Sequence, residues 1–163
     1  MRSRGIPRAL WLLLFGVFVG GLLPGCAVST PYPQDMADSN AAVDPVVLVV
    51  TRVVVDKANR AEFDRQTQRV IASMSSQPGL IGFSARRQLF GDTGWTMSVW
   101  KDDKARARFV QSEVHQQAIA KSMSAVETVE IKRLSLARGD IPRDWVAAIN
   151  LLSLPEANRN YLD

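Results

Sequence analysis

Val46-Val-Leu-Val-Val-Thr-Arg-Val-Val-Val55 is an unbroken run of β-branched residues with one leucine and one arginine. Two substituents on Cβ stiffen χ1 and suit a pleated surface, so the run is a strand. The period changes immediately afterwards. From Ala58 to Ser76, Phe63, Thr67, Val70, Ile71 and Met74 recur at helical spacing, with Arg60, Asp64, Arg65, Gln68 and Arg69 on the other side. Pro78-Gly79 stops that helix and turns the chain.

Ile81, Phe83, Ala85 and Leu89 alternate with Gly82, Ser84, Arg86 and Gln88 in a second strand, Arg87 being the charged exception on the apolar side. Gly91-Asp92-Thr93-Gly94 has hairpin chemistry. Trp95 to Trp100 is a third strand, with Trp95, Met97 and Val99 on one face and Trp100 on the other. Asp102 or Asp103 can cap a helix through Ala105, Phe109 and Val110, and a second helical piece covers about Val114 to Met123. Val126 to Leu134, whose apolar residues are interrupted by Glu127, Glu130, Lys132 and Arg133, reads as the last strand, either at an edge or facing a partner.

The order βαββαβ is the ferredoxin-like arrangement, an α+β fold with a four-stranded antiparallel sheet and its helices on one face, here assigned to residues 46–135. The other sheet face would be bare in a single copy, which predicts a homodimer packed sheet on sheet. Residues 136–163 form a C-terminal extension with a short apolar helix at 144–152, carrying Trp145, Val146, Ala148, Ile149 and Leu152.

Upstream of the valine run, residues 26–45 are small, polar and proline-containing, and read as a flexible tether. Residues 1–25 have the layout of an export signal: Arg2, Arg4 and Arg8, then an uncharged apolar run from Ala9 to Leu23 that is short for a membrane span. Leu23-Pro24-Gly25-Cys26 resembles the lipobox of bacterial lipoproteins, which implies lipidation of Cys26 and cleavage before it. Cys26 is the only cysteine, so an internal disulfide is excluded. Ala27 after it implies, by resemblance to Gram-negative sorting, release to the periplasmic side of the outer membrane. Three of the 20 basic residues leave with the signal, and the remaining 17 nearly balance the 16 acidic ones. Net charge therefore gives no support for nucleic acid as a partner.

Three segments resemble the antibiotic biosynthesis monooxygenase (ABM) domain: Pro78 to Phe83, Trp95 to Asp102, and Phe109-Val110-Gln111-Ser112-Glu113-Val114-His115. The resemblance spans Val46 to about Leu134. It implies a dimeric α+β barrel, and in the cofactor-free oxygenases of the family an electron-rich aromatic substrate whose carbanion reduces O₂ directly. The protein then supplies a pocket, a proton acceptor and hydrogen bonds to an oxyanion. On that resemblance His115 is the candidate catalytic base, with Phe83, Trp100 and Phe109 as substrate-binding aromatic walls and Arg86 or Arg87 holding an anionic oxygen. The haem-degrading branch fits poorly, because Phe109 stands where its tryptophan is expected, Thr51 or Arg52 where its asparagine is, and His115 is displaced from the ligand position. One histidine and one cysteine build no usual metal set, so no metal or cofactor is expected.

Two functions follow. One is a membrane-anchored, cofactor-independent monooxygenase of quinol-like or polyphenolic molecules. The other is a non-catalytic envelope lipoprotein that binds a small hydrophobic ligand or a protein partner.

Overall fold

The valine run is a central strand. In the computed structural model, which describes residues 27–31 and 45–154, it is β2 (Val46–Val55), preceded by a short β1 (Ala27–Ser29). There follow α1 (Arg60–Met74), β3 (Leu80–Gln88), β4 (Thr93–Trp100), α2 (Asp103–Val110), α3 (Glu113–Ser122), β5 (Val126–Leu136) and α4 (Trp145–Asn150). All strand pairs are antiparallel, in the order β1-β3-β4-β2-β5. The fold is the expected α+β ferredoxin-like one, with five strands in place of four, and β5 lies at an edge.

The additional strand falls inside the stretch expected to be a tether. Ala27, Val28 and Ser29 pair with Gln88, Arg87 and Arg86. Thr30 fastens the pairing: its amide donates to the Ala85 carbonyl at 2.9 Å, and its hydroxyl accepts from the Ala85 amide at 2.9 Å. The export signal and Cys26 lie outside the described residues.

Strand parity sorts the core into two layers. On one face Val47, Trp100, Ala105, Phe109 and Met74 are buried together, with Val49, Val70, Leu80 and Phe83 packed against them. This is the layer beneath α1 and α2. On the opposite face Val46, Leu48, Val50, Met97 and Val99 are buried against Ile141, Trp145, Ala148 and Leu152. The face expected to be bare is therefore covered over this region by the chain's own C-terminal extension. Asp144 starts α4 by accepting from the Ala147 amide at 2.8 Å. The segment after α4 is held where Nζ of buried Lys132 donates to the Leu154 carbonyl at 3.4 Å. Lys132 pairs with Val50, so it lies on the same face as the apolar residues it borders.

At the α1–β3 turn Gly79 has φ of 83°, in the left-handed region that side chains with a Cβ avoid. A Cβ there would lie 2.7 Å from Cβ of Ala105, so the turn also sets how closely α2 approaches. Asp102 caps α2 by accepting from the Ala105 amide at 2.6 Å.

Candidate functional site

Four of the five residues expected at the site lie in the helix-side layer. Trp100 ends β4 and is fully buried, and its indole N–H donates to Ser98 Oγ at 3.0 Å. Phe109, one residue from the end of α2, stacks on it with ring centroids 5.2 Å apart and planes at 26°. His115, in the first turn of α3, meets Phe109 edge-on at 4.8 Å and 63°. Phe83 packs against the same layer from β3. The α2–α3 junction aligns the three rings: Ser112 Oγ donates to the Phe109 carbonyl at 2.6 Å, and α3 resumes immediately beyond.

His115 Nδ1 lies 3.2 Å from the Val110 carbonyl, an acceptor-only group, so the neutral ring carries its proton on Nδ1. Nε2 is then the basic nitrogen. Burial pushes the imidazole pKa below its ordinary value, and the bond to Val110 opposes that in part. At neutral pH the ring is uncharged and can accept a proton. The ring is partly exposed, and His115 is not among the residues lining either of the cavities described below.

Arg86 is not with the others. Between Leu80 and Gly82 the register slips by one residue, since Leu80 pairs with Trp100 and Gly82 with Val99. Ile81 is the extra residue and packs towards the α4 side. The bulge re-sets the parity, so Phe83 and Arg87 face the helices while Arg86, paired with Trp95, faces the opposite side. Arg87 lies 3.8 Å from Asp64 of α1, the pairing its position on the helix side permits.

A different constellation occupies the α4 side. Arg86, Trp95, Arg52 and Glu130 are successive cross-strand partners on β3, β4, β2 and β5, and so form one row across the sheet. Arg52 Nη1 donates to both Glu130 oxygens, at 3.0 and 3.2 Å. Trp95 Nε1 is buried and has no hydrogen-bond partner among the described residues. With Ile149, Leu152 and Ser153, the trio Arg52, Trp95 and Glu130 lines an open cavity of about 490 Å³. A second cavity, about 400 Å³, lies near the start of β2 and is lined by Val47, Asp102, Asp103, Arg133 and Leu134. There Arg106 hydrogen-bonds Asp103 and holds its carboxyl below the usual range, with Arg133 acting in the same direction.

Sequence reasoning missed the row because its members lie on four strands and share no local motif. Alternation had paired Trp95 with Met97 and Val99, but only the register brings Arg52 and Glu130 beside it. Among the described residues, no group of three or more His, Cys, Asp or Glu is placed to hold a metal ion, and no helix is long and apolar enough to cross a membrane.

Solved structures share this fold at low identity. A conserved protein from Methanosarcina mazei Go1 matches with a TM-score of 0.52 at 16% identity, over 56% of this chain and 93% of its own. Rv0793 from Mycobacterium tuberculosis matches with a TM-score of 0.52 at 13% identity, over 55% and 93%. SnoaB, a cofactor-independent oxygenase from Streptomyces nogalater, matches at 24% identity over 56% and 92%, with a TM-score of 0.48. Among curated proteins none matches the chain. The family model described as antibiotic biosynthesis monooxygenase matches residues 46–121, the stretch that holds the βαββ core, α2 and His115.

Proposed function

We propose that this protein is a cofactor-independent monooxygenase of quinol-like or polyphenolic small molecules, exported and held to a membrane by lipid on Cys26, on the periplasmic side of the outer membrane in a Gram-negative cell. The observation that carries the catalytic part is the uncharged His115, set edge-on against the Phe109–Trp100 stack inside the ABM-matched stretch. In this reading Nε2 of His115 takes a proton from an activated ring carbon or hydroxyl of the substrate. The resulting anion gives its electrons to O₂. One oxygen atom stays on the ring carbon, and the other leaves as water with the two hydrogens the substrate has lost. Phe83 and Phe109 supply the aromatic wall, and fully buried Trp100 backs it. Arg86 has no part in it, since it lies across the sheet.

Oxygen uptake with a polycyclic hydroquinone, corrected for autoxidation, tests the reading. The wild type should accelerate uptake. His115→Ala, with its fold verified by circular dichroism, should lose on the order of 10²-fold, as expected for a general base. Equal rates would remove His115 from the chemistry. Labelling with radioactive palmitate that disappears in Cys26→Ser tests the anchor.

The cavity beside Trp95 favours a second reading, a non-catalytic binder. Its volume lies in the range of small-ligand sites, and it combines an indole, two aliphatic walls and an ion pair. A ligand that co-purifies, does not turn over in air, and is lost in Trp95→Ala would favour binding over catalysis.

A further inference from the structure

We propose that the β3–β4 turn is a membrane-contact element, so that the domain lies against the lipid surface in a fixed orientation and does not swing on a tether. Phe90, at the turn, is 86% exposed, and beside it Leu89 is 41% and Val28 52% exposed. An aromatic side chain as exposed as Phe90 stands out, because the other aromatic residues among those described are buried or half-buried. The turn is not loose. Arg60 of α1 donates to the carbonyl of Gly91, and its other terminal nitrogen lies 3.5 Å from the carbonyl of Gln88, so the residues on both sides of Leu89 and Phe90 are braced from the helix.

The second observation is independent of exposure. Ala27 pairs with Gln88 and Ser29 with Arg86, so the chain enters β1 at the turn end of the sheet. The residue immediately before Ala27 is Cys26. An acyl group on that sulfur would therefore start within a few residue-lengths of Leu89 and Phe90, with no slack for the domain to move away. Aromatic and aliphatic side chains at the level of the headgroups are favourable there, and the acyl chains supply most of the holding energy. The apolar turn then fixes which way the domain faces. With the turn down, α4 lies at the distal end, since it covers Val46, Leu48 and Val50, whereas the turn adjoins Val54 through its pairing with Thr93.

This inference rests on the proposed lipidation of Cys26, and its test separates the two. Full-length protein carrying Phe90→Trp is reconstituted in phosphatidylcholine vesicles with or without dibrominated phosphatidylcholine, and wild-type emission is subtracted. Val146→Trp is the control, because Val146 is 68% exposed on α4 at the distal end. The emission added at position 90 should be lost in brominated lipid while that at 146 is kept. Equal quenching at both positions, or none at 90 in protein that takes palmitate label, overturns the contact and leaves the anchor standing. Protein that takes no label overturns the anchor, and the orientation argument falls with it.

Discussion

His115 shows how one ring can be both structural and chemical. Its edge contact with Phe109 is a packing interaction, and its Nδ1–H bond to Val110 fixes both tautomer and orientation. The cost of placing the ring there is a depressed pKa, caused first by burial. The unfolded chain binds a proton at the ordinary imidazole pKa of about 6.5, and the folded protein binds it only at lower pH, so between those values the unfolded state holds more protons. Stability should therefore be complete above about pH 6.5 and fall as pH drops through the window below it, until His115 is charged in both states. Urea denaturation at pH 7.5 and 5.5 measures the drop, and His115→Gln should reduce it. An unchanged difference in that variant would show that the ring is as solvated in the folded protein as in the unfolded chain.

At the scale of elements, periodicity revealed most of the architecture because each segment declares its own period. The valine run, the 3.6-residue spacing of Val70 and Met74, and the Asp102 cap are local signals, and local signals survive folding. Three features were not local. β1 is three residues long, too short for any period, and it exists only because β3 offers Arg86 to Gln88 as an edge. The bulge at Ile81 depends on Leu80 pairing with Trp100, and it sends Ile81 and Phe83, which alternation puts on one face, to opposite sides of the sheet, while Arg86 keeps the side opposite Phe83 that alternation gives it. The apolar stripe of α4 was readable, but nothing in it specified that its partner was the sheet of the same chain. The candidate site was legible to the same extent: the ring stack of Trp100, Phe109 and His115 came from two local motifs, and the Arg52–Glu130 row did not. Gly79 is where one residue controls two elements, because its positive φ and its contact with α2 are both needed. Gly79→Ala should destabilise by more than about 1 kcal/mol, since it combines left-handed strain with a clash at Ala105. Thermal denaturation would measure this, and a change within a few tenths would mean that the turn adopts another conformation.

For the whole molecule, the C-terminal extension changes what the fold demands of its partners. A ferredoxin-like sheet with helices on one side has an apolar face to cover, and sheet-on-sheet dimerisation is one solution. Here Ile141, Trp145, Ala148 and Leu152 fill that role in cis over Val46, Leu48, Val50, Met97 and Val99, so the driving force for a dimer through this region is already satisfied. Burial of Ile141, Trp145 and Leu152 contributes about 1.5–3 kcal/mol each, before the conformational entropy of ordering the extension is subtracted. Removing the residues after 137 should return that face to water. The shortened protein, compared with one that begins at Ala27 and keeps its C-terminus, should then sediment as a dimer or larger species, while the longer one remains monomeric. Lys132 sharpens the test, because loss of the Leu154 carbonyl leaves a buried ammonium beside apolar neighbours. The truncated protein should accordingly be less stable even where association re-covers the leucines and valines, and Lys132→Met should recover part of the loss in the truncated form only. Identical sedimentation and stability with and without the extension would mean that α4 does not hold the sheet in solution, and the dimer expected from a bare face would then regain its physical basis.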